Sequence, residues 1–411
     1  MISPVSHAWS APSAMCVVPS PSPTAWFKTR PPLHPRRHEC VGRRGHAPRA
    51  TAGLDTPIAP TSTRTYPVRR LDADEAIEAM YARQSRWQRE RAAAFFSSEL
   101  GGIVTDPALM LLHADEHGFH RGHAVYETLR LEDGHIYLLK RHLQRLFLSM
   151  VKADIPLAPD LGVDQMARTV LETAAASTKL SGTIKVIACA GRDDLGLAGT
   201  TCAASSFYVL VSSTAPLPKS KEEEYLRGWH VKTSPVPAIP DYFATLRSVG
   251  NLAVVLSQHD AEAGGFDMGI MQDGQGNVAA APGSNVACLT QDGVLVVPPF
   301  DRCLADATTE RMLELLPQAI RSGMEGISAV EQRHISIAEA KKCIEVMLVG
   351  GDPVLMPVRK WDDEQIADGQ AGIVALQIRV MLLDDMDPHA EHAALDTHLP
   401  VPYGGLTGMG L

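Results

Sequence analysis

The chain has 411 residues, which is enough to bury one large or two medium-sized hydrophobic cores. Its content of 45% hydrophobic and 21% charged residues is typical of a globular protein, and no apolar run approaches the roughly 18 residues of a membrane span. The seven cysteines are scattered without paired spacing. This pattern argues against a disulfide framework or a zinc site and favours reduced thiols in a non-secretory compartment.

The first 54 residues differ in composition from the rest of the chain. They are rich in Ser, Pro, Ala and Arg, carry seven basic residues against the single acid Glu39, and lack the apolar run of a secretory signal. We predict a transit peptide for the plastid stroma over residues 1–54, with the mitochondrion as the alternative and a disordered cytosolic tail as the bland interpretation. The remaining chain carries a net charge of −15, so we expect neither nucleic acid nor a membrane as a partner.

The pattern along the chain predicts two domains. Asp72 and Glu75 are placed as the cap pair of a first helix, and Asp133-Gly134 predicts the turn of a β-hairpin that a helix follows. Residues 212–224, rich in Ser, Pro, Lys and Glu, predict a linker. The predicted boundaries are a helical N-terminal extension over 55–101, a small α+β domain over 102–214, a linker over 215–225, a larger C-terminal domain over 226–385 and a tail over 386–411.

Four histidines between positions 113 and 123 raise the question of a metal site. Their spacing matches neither a zinc finger nor the His-Glu-x-x-His helix of metalloproteases. The sequence therefore predicts no bound metal.

The segment from Asp241 to Asn285 is the most informative stretch. A loop leads to a helix that is predicted to run to about Ala263, then come the apolar run 268–271, a turn at 273–276 and a second short apolar segment. This order resembles the core of the class IV aminotransferases, which are pyridoxal-phosphate (PLP) enzymes of fold type IV. They include branched-chain aminotransferases, D-amino-acid aminotransferases and aminodeoxychorismate lyases. The resemblance covers about residues 70–403, is strongest to the plant plastid branch, and implies a mixed, two-domain α+β fold.

The resemblance also exposes three departures around the cofactor ring. In the family, a Lys forms the Schiff base and moves a proton, an acid keeps the pyridine nitrogen protonated, and a Tyr contacts the ring. These positions here are Arg247, Ala280 and Asn251. A guanidinium has a pKa above about 12 and neither forms a stable imine nor accepts a proton near neutral pH. Arg247 is left with two interpretations, a salt-bridged side chain that plugs the pocket or a binder of a small anion. A different Lys, Lys185 or Lys232, is the candidate for rescue.

Positions on the phosphate side are kept in part. By resemblance, the cofactor-binding set includes Arg145, Ala307, Thr308 and Gly351, and the substrate set includes Tyr126 and Lys185. A helix N-terminus at Thr308 suits an anion, although Asp306 replaces the glycine of the family turn and adds a negative charge there. Arg145 as an ion pair on its own helix, Thr308 as an ordinary cap, and Tyr126 as a core or interface aromatic remain open alternatives.

Three hypotheses for function follow. The first is a plastid class IV aminotransferase homologue with impaired PLP chemistry that binds a small anionic or amino-acid ligand. The second is an active transaminase or aminodeoxychorismate-lyase-like enzyme with a modified mechanism. The third is a non-catalytic partner or ligand-binding subunit. By resemblance we expect a homodimer, or a heterodimer with an active paralogue.

Overall fold

The computed structural model describes residues 68–404 except 159–160, 193–194, 203, 215–221 and 352. The predicted transit peptide therefore lies outside the described residues. From Arg70 onward the chain clusters as one compact unit. None of the helices in the described ranges has the length and apolar character needed to cross a membrane.

The first two helices lead directly into a sheet. Helix α1 (Ala73–Ala82) begins with the predicted Asp72–Glu75 capping box, and α2 (Arg86–Arg91) is followed at once by strand β1 (Ala92–Ser97). The helical extension predicted up to residue 101 is therefore wrong beyond α2, and the core begins before Gly102. Residues 92–97 are Ala-rich and favour helix by propensity, but pairing with two neighbouring strands and burial of Phe95 override that preference.

The first sheet is antiparallel throughout its described residues. Besides β1, its strands are β2 (Gly102–Val104), β3 (Ala124–Glu132), β4 (His135–Tyr137), β5 (Gly182–Cys189), β6 (Ser206–Ser213) and β16 (His398–Pro400). They lie in the order β16-β4-β3-β5-β6-β1-β2. The predicted hairpin at Asp133-Gly134 is confirmed.

Helices flank the first sheet and its longest strand. One face is covered by α4 (Leu139–Lys152) and α5 (Val163–Ser177), which share one apolar core with the sheet. The short helix α3 (His117–Arg121) precedes β3. This packing places the start of β3 beside α3 and its end beside α4.

The second sheet is mixed. Its strands are β7 (Trp229–Thr233), β8 (Met268–Gln272), β9 (Val278–Ala280), β10 (Asn285–Leu289), β11 (Val294–Val297), β12 (Ala329–Gln332), β13 (Glu345–Val349), β14 (Leu355–Trp361) and β15 (Glu364–Gln365). They lie in the order β12-β11-β10-β13-β14-β7-β8-β9, with β15 paired to β14. Strand β7 pairs parallel with both β14 and β8, and β11 pairs parallel with β12.

The later helices accompany the second sheet. They are α6 (Glu222–Arg227), α7 (Asp241–Ala244), α8 (Leu252–Ala263), α9 (Ala307–Arg321), α10 (Ile337–Ala340) and α11 (Ile373–Asp385). Helices α9 and α11 bury Met312 and Ile378 in a core on one face, and a second core lies around Val231, Val286 and Trp361. The two sheets with their helices confirm the predicted mixed α+β class.

Two predicted boundaries need correction. Residues 215–221 of the predicted linker lie outside the described residues, but α6 follows them and buries Tyr225 in the core of the second sheet. The predicted tail is not free, because β16 pairs with β4 and Val401 joins the core of the first sheet. In both cases a single large apolar side chain anchors a segment whose polar composition is typical of a loop.

Candidate active site

The segment before α8 connects the two sheets. The Arg247 carbonyl accepts a hydrogen bond from the Tyr126 N–H at 2.9 Å, and the Val249 N–H donates to the Ala124 carbonyl at 3.1 Å. These bonds dock the segment against β3. On its other side, α8 packs on β8, where a Cβ on Gly269 would stand 2.7 Å from Ser257 Oγ, so only glycine allows this approach. Arg247 is thereby fixed between the sheets.

Arg247 forms an ion pair with Asp306. Its Nη2 lies 3.1 Å from Asp306 Oδ2, and only 15% of each side chain is exposed. Its Nε lies 4.0 Å from Glu127 Oε1 and is buried without a hydrogen-bond partner among the described residues. Of the two interpretations that the sequence left for Arg247, the salt-bridged side chain is the one that the structure contains.

Asp306 is held in place by contacts on three sides. It is the N-cap of α9, and its Oδ1 accepts a hydrogen bond from the Thr308 N–H at 3.0 Å. Its own N–H donates to Asn285 Oδ1 at 2.9 Å. Gly350, at φ +105°, makes room for it, because a Cβ there would lie 2.7 Å from Asp306 Oδ1. The protein's own carboxylate therefore occupies the helix N-terminus where the sequence predicted a bound anion, and the cap is Asp306 rather than Thr308.

Arg145 is committed to protein acceptors. Its Nε and Nη2 each lie 2.7 Å from a carboxylate oxygen of Glu127, and its Nη1 donates to the Ala305 carbonyl at 2.6 Å. His142 Nδ1 lies 2.9 Å from the same carboxylate, whose side chain is 1% exposed. Arg145 is thus no surface residue that pairs along its own helix: it joins β3 and α4 to the loop before α9.

The electrostatics of this cluster follow from its contacts. Burial alone raises the pKa of Glu127, but the hydrogen bonds from His142 and Arg145 and the charge of Arg145 outweigh burial and lower the pKa to about 2. Glu127 is therefore an anion at neutral pH, and it neutralises the guanidinium that resemblance had assigned to a phosphate.

The predicted substrate residues lie together beside Arg247. Asn251 Nδ2 donates to Tyr126 Oη at 3.0 Å. The Lys185 ammonium lies 4.5 Å from the centroid of the Tyr126 ring, and Arg247 Cζ lies 5.8 Å from it. Both distances are within cation–π range. Tyr126 is therefore a contact point for two cations and one amide.

Two cavities flank the Arg247–Asp306 pair. Cavity 1, of about 120 Å³, is lined among others by Tyr126, Asn251 and Ala280. Cavity 2, of about 270 Å³, is lined among others by Thr128, His142, Ala307, Thr308 and Gly351. Arg247, Gly283 and Asp306 line both, so the ion pair stands in their common wall. Each cavity is smaller than the roughly 300–1,000 Å³ of a typical small-molecule pocket.

The two rescue lysines stand apart from these cavities. Lys232 Nζ is paired with Asp260 Oδ2 at 2.7 Å. Lys185 contacts the Tyr126 ring, and neither lysine is among the described residues that line cavity 1 or cavity 2. Across the described ranges, no group of three or more His, Cys, Asp or Glu side chains is placed to hold a metal.

Sequence reasoning missed three residues of the site: Glu127, His142 and Asn285. Glu127 carries a signal, since it interrupts the buried alternation of Val125 and Leu129 in β3, and an acid at a buried strand position needs a cation. His142 and Arg145 lie one turn apart on α4 and supply the donors. Asn285 shows no such signal, because its partners at 304 and 306 come from a distant loop.

The match to a family model supports the fold and the order of these motifs. Residues 124–361 match the model described as amino-transferase class IV. This chain belongs to the class IV aminotransferase family.

Among its relatives, the chloroplastic D-amino-acid transaminase of Arabidopsis thaliana is 35% identical over 71% of this chain and 76% of its own length. The bifunctional aminodeoxychorismate lyase / D-amino acid transaminase of Mycobacterium tuberculosis is 31% identical over 53% of this chain and 76% of its own length. A solved structure of a branched-chain amino acid aminotransferase with pyridoxamine 5'-phosphate, from the thermophile abbreviated T.th., superposes with a TM-score of 0.68 at 21% identity, over 76% of this chain and 99% of that one.

The family implies PLP, and the residues of this chain do not fit it. The Schiff-base position holds Arg247, whose side chain is paired with Asp306. The position for the ring-nitrogen acid holds Ala280, which lines cavity 1 without any ionisable group. The helix N-terminus and Arg145, which would hold the phosphate, are occupied by the carboxylates of Asp306 and Glu127.

Proposed function

We propose that this protein is a plastid member of the class IV aminotransferase family that has lost PLP-dependent transamination and serves as a ligand-binding or partner subunit. The observation that carries the proposal is the Arg247–Asp306 ion pair, capped onto α9, at the centre of the family's cofactor site. Every other departure at the site is consistent with this one.

The ion pair opposes the cofactor in two ways. A guanidinium cannot supply the amine that carries PLP. A phosphate placed at the α9 N-terminus would also meet the Asp306 carboxylate, and two unit charges 4 Å apart repel by about 4 kcal/mol at an effective dielectric constant near 20. A favourable helix terminus contributes only about 0.3–1 kcal/mol, so repulsion is the larger effect.

The plastid assignment rests on two supports. The N-terminal 54 residues have the composition of a transit peptide. The Arabidopsis relative is a chloroplastic protein by its name.

A partner is proposed from an exposed apolar face on α7 and α8. Tyr242, Phe243, Leu252, Val255 and Leu256 each expose about half or more of their surface in the single chain. Contiguous apolar residues of this kind are typical of a protein interface. We propose a second copy of this chain, or an active paralogue, as the partner that covers the face.

Activity with and without a lysine separates the leading proposal from its rival. The purified protein is incubated with PLP, an oxo acid and a panel of D- and L-amino acids, and amino transfer is measured. We expect no turnover above the protein-free blank. Lys185, 4.5 Å from the Tyr126 ring, is the observation that favours an active enzyme with a modified mechanism. Turnover that a Lys185→Met variant loses would establish that rival and end the leading proposal.

A further inference from the structure

Two histidine rings meet outside the site described above. His117 lies on α3 and is 1% exposed, and His123 stands just before β3 and is half-buried. Their Nδ1 atoms are 3.2 Å apart, and the rings meet edge to face with centroids 5.2 Å apart. This is a closer approach than packing between two neutral rings requires.

Hydrogen bonds on the far side of each ring define which nitrogen carries hydrogen. His117 Nε2 lies 3.3 Å from the Gly196 carbonyl, and His123 Nε2 lies 2.7 Å from the Ala153 carbonyl. A carbonyl oxygen only accepts, so both Nε2 atoms must carry hydrogen. In a neutral imidazole the other nitrogen is then an acceptor. The two Nδ1 lone pairs therefore face each other, and this arrangement is stable only with a cation between them.

The geometry of the pair suits a metal ion. An ion bound at about 2.0–2.1 Å from both Nδ1 atoms would make an N–metal–N angle of about 100°, close to the tetrahedral value that zinc adopts. Metal-binding histidines commonly donate their other N–H to a backbone carbonyl, which fixes the tautomer and orients the ring. Both His117 and His123 have this second contact.

Gly199 keeps the space beside the pair open. A Cβ at this position would stand 3.1 Å from His117 Nδ1 and 3.4 Å from His123 Nδ1, where an ion and its remaining ligands need room. The residue also has φ +63°, a conformation that disfavours side chains. A side chain is thus kept from both lone pairs by the backbone itself.

We propose that His117 and His123 bind a divalent ion of the zinc class through their Nδ1 atoms. Imidazole nitrogen suits zinc, cobalt, nickel and copper ions, and water completes the coordination because no third His, Cys, Asp or Glu of the described residues joins the pair. The ion ties α3 and the start of β3 to the backbone at 196 and 153. The site revises the expectation from sequence spacing, since only the fold brings these two of the four histidines together.

The proposal is tested by zinc titration of the full-length protein after removal of metals with a chelator. Isothermal titration calorimetry on the wild type and on His123→Ala measures the affinity, and the absorption of bound Co²⁺ reports nitrogen ligation. We expect the wild type to bind one more ion than His123→Ala at its tighter site, or to bind it at least about tenfold more tightly. His120→Ala is the matched control, because His120 bonds the Ala114 carbonyl and lies outside the pair.

Two results would overturn the proposal. Zinc affinity and Co²⁺ spectrum that are the same in the wild type and in His123→Ala would leave a shared proton, not a metal, between the rings. An equal loss in His120→Ala would assign binding to the exposed histidines in general. Circular dichroism checks that each variant folds, and His123→Gln, which keeps an N–H donor for the Ala153 carbonyl, replaces any His123→Ala that does not.

Discussion

Replacing Glu127 by Gln tests whether Arg145 is a structural residue in this protein. The substitution keeps the size of the side chain and removes the charge that Arg145 and His142 both contact. Arg145 is then left as a largely buried cation without its bidentate carboxylate. A single partner removed from a buried ion pair typically costs about 3–5 kcal/mol of folding free energy.

The lowered pKa gives a second, independent magnitude. The pKa of Glu127 falls from 4.5 in the unfolded chain to about 2 in the fold. At about 1.36 kcal/mol per pKa unit, the ionised carboxylate contributes about 3 kcal/mol. Because the folded pKa is the lower one, this contribution is present above about pH 4.5 and is lost as the pH falls toward about 2.

Urea unfolding of the wild type and of Glu127→Gln, followed by circular dichroism between about pH 6 and pH 3, measures both quantities. We expect the variant to be less stable by about 3 kcal/mol at neutral pH and to lose less stability on acidification. Glu90→Gln is the control, since Arg86 and Glu90 form an exposed pair with 75% and 54% of their side chains accessible, and it should change stability by under about 0.5 kcal/mol. A loss below about 1 kcal/mol in Glu127→Gln, or an unchanged pH dependence, would refute the reasoning.

Three further substitutions test the site and the surface. Asp306→Asn removes the carboxylate at the α9 N-terminus, so inorganic phosphate should bind at least about tenfold more tightly by calorimetry, and an unchanged affinity would contradict the role of Asp306. Combining Arg247→Lys, Ala280→Glu and Asp306→Gly should restore PLP binding, seen as a visible absorption band; its absence would show that more of the pocket has changed. Leu252→Glu should lower the mass measured by sedimentation, whereas the exposed control Leu180→Glu should not; equal masses would remove α8 from the interface.

Local patterns in the sequence predicted much of the fold. The capping box at Asp72, the turn at Asp133-Gly134 and the helix up to Ala263 each depend on residues within a few positions, and all three are confirmed. The strand at 92–97 was missed, because its alanines favour a helix and its pairing partners lie as far away as β6. Burial across the sheet, which no local pattern contains, decides its conformation.

The candidate site was predicted in its positions but not in its contacts. The substitutions at 247, 251 and 280 are legible in the sequence, and so is the extra acid at 306. The pairing of Arg247 with Asp306 joins residues 59 positions apart, and Glu127 and Arg145 are 18 apart. The sequence shows that a charge is present; only the fold shows that one carboxylate neutralises Arg247 while it caps α9.

The direction of the α8 stripe was also beyond the sequence. Leu252, Val255 and Leu256 predict a helix by their spacing, yet all three are exposed in the single chain. Periodicity identifies the apolar face and cannot say whether the core or a partner covers it.

The central claim is that no lysine of this protein carries PLP. The most direct test is to incubate the purified protein with PLP, reduce with borohydride and identify modified peptides by mass spectrometry. The Arg247→Lys, Ala280→Glu, Asp306→Gly variant, treated in parallel, is the positive control for the pocket. We predict that no lysine of the wild type is labelled in proportion to the protein. Stoichiometric labelling of a single lysine, Lys185 above all, would contradict the account.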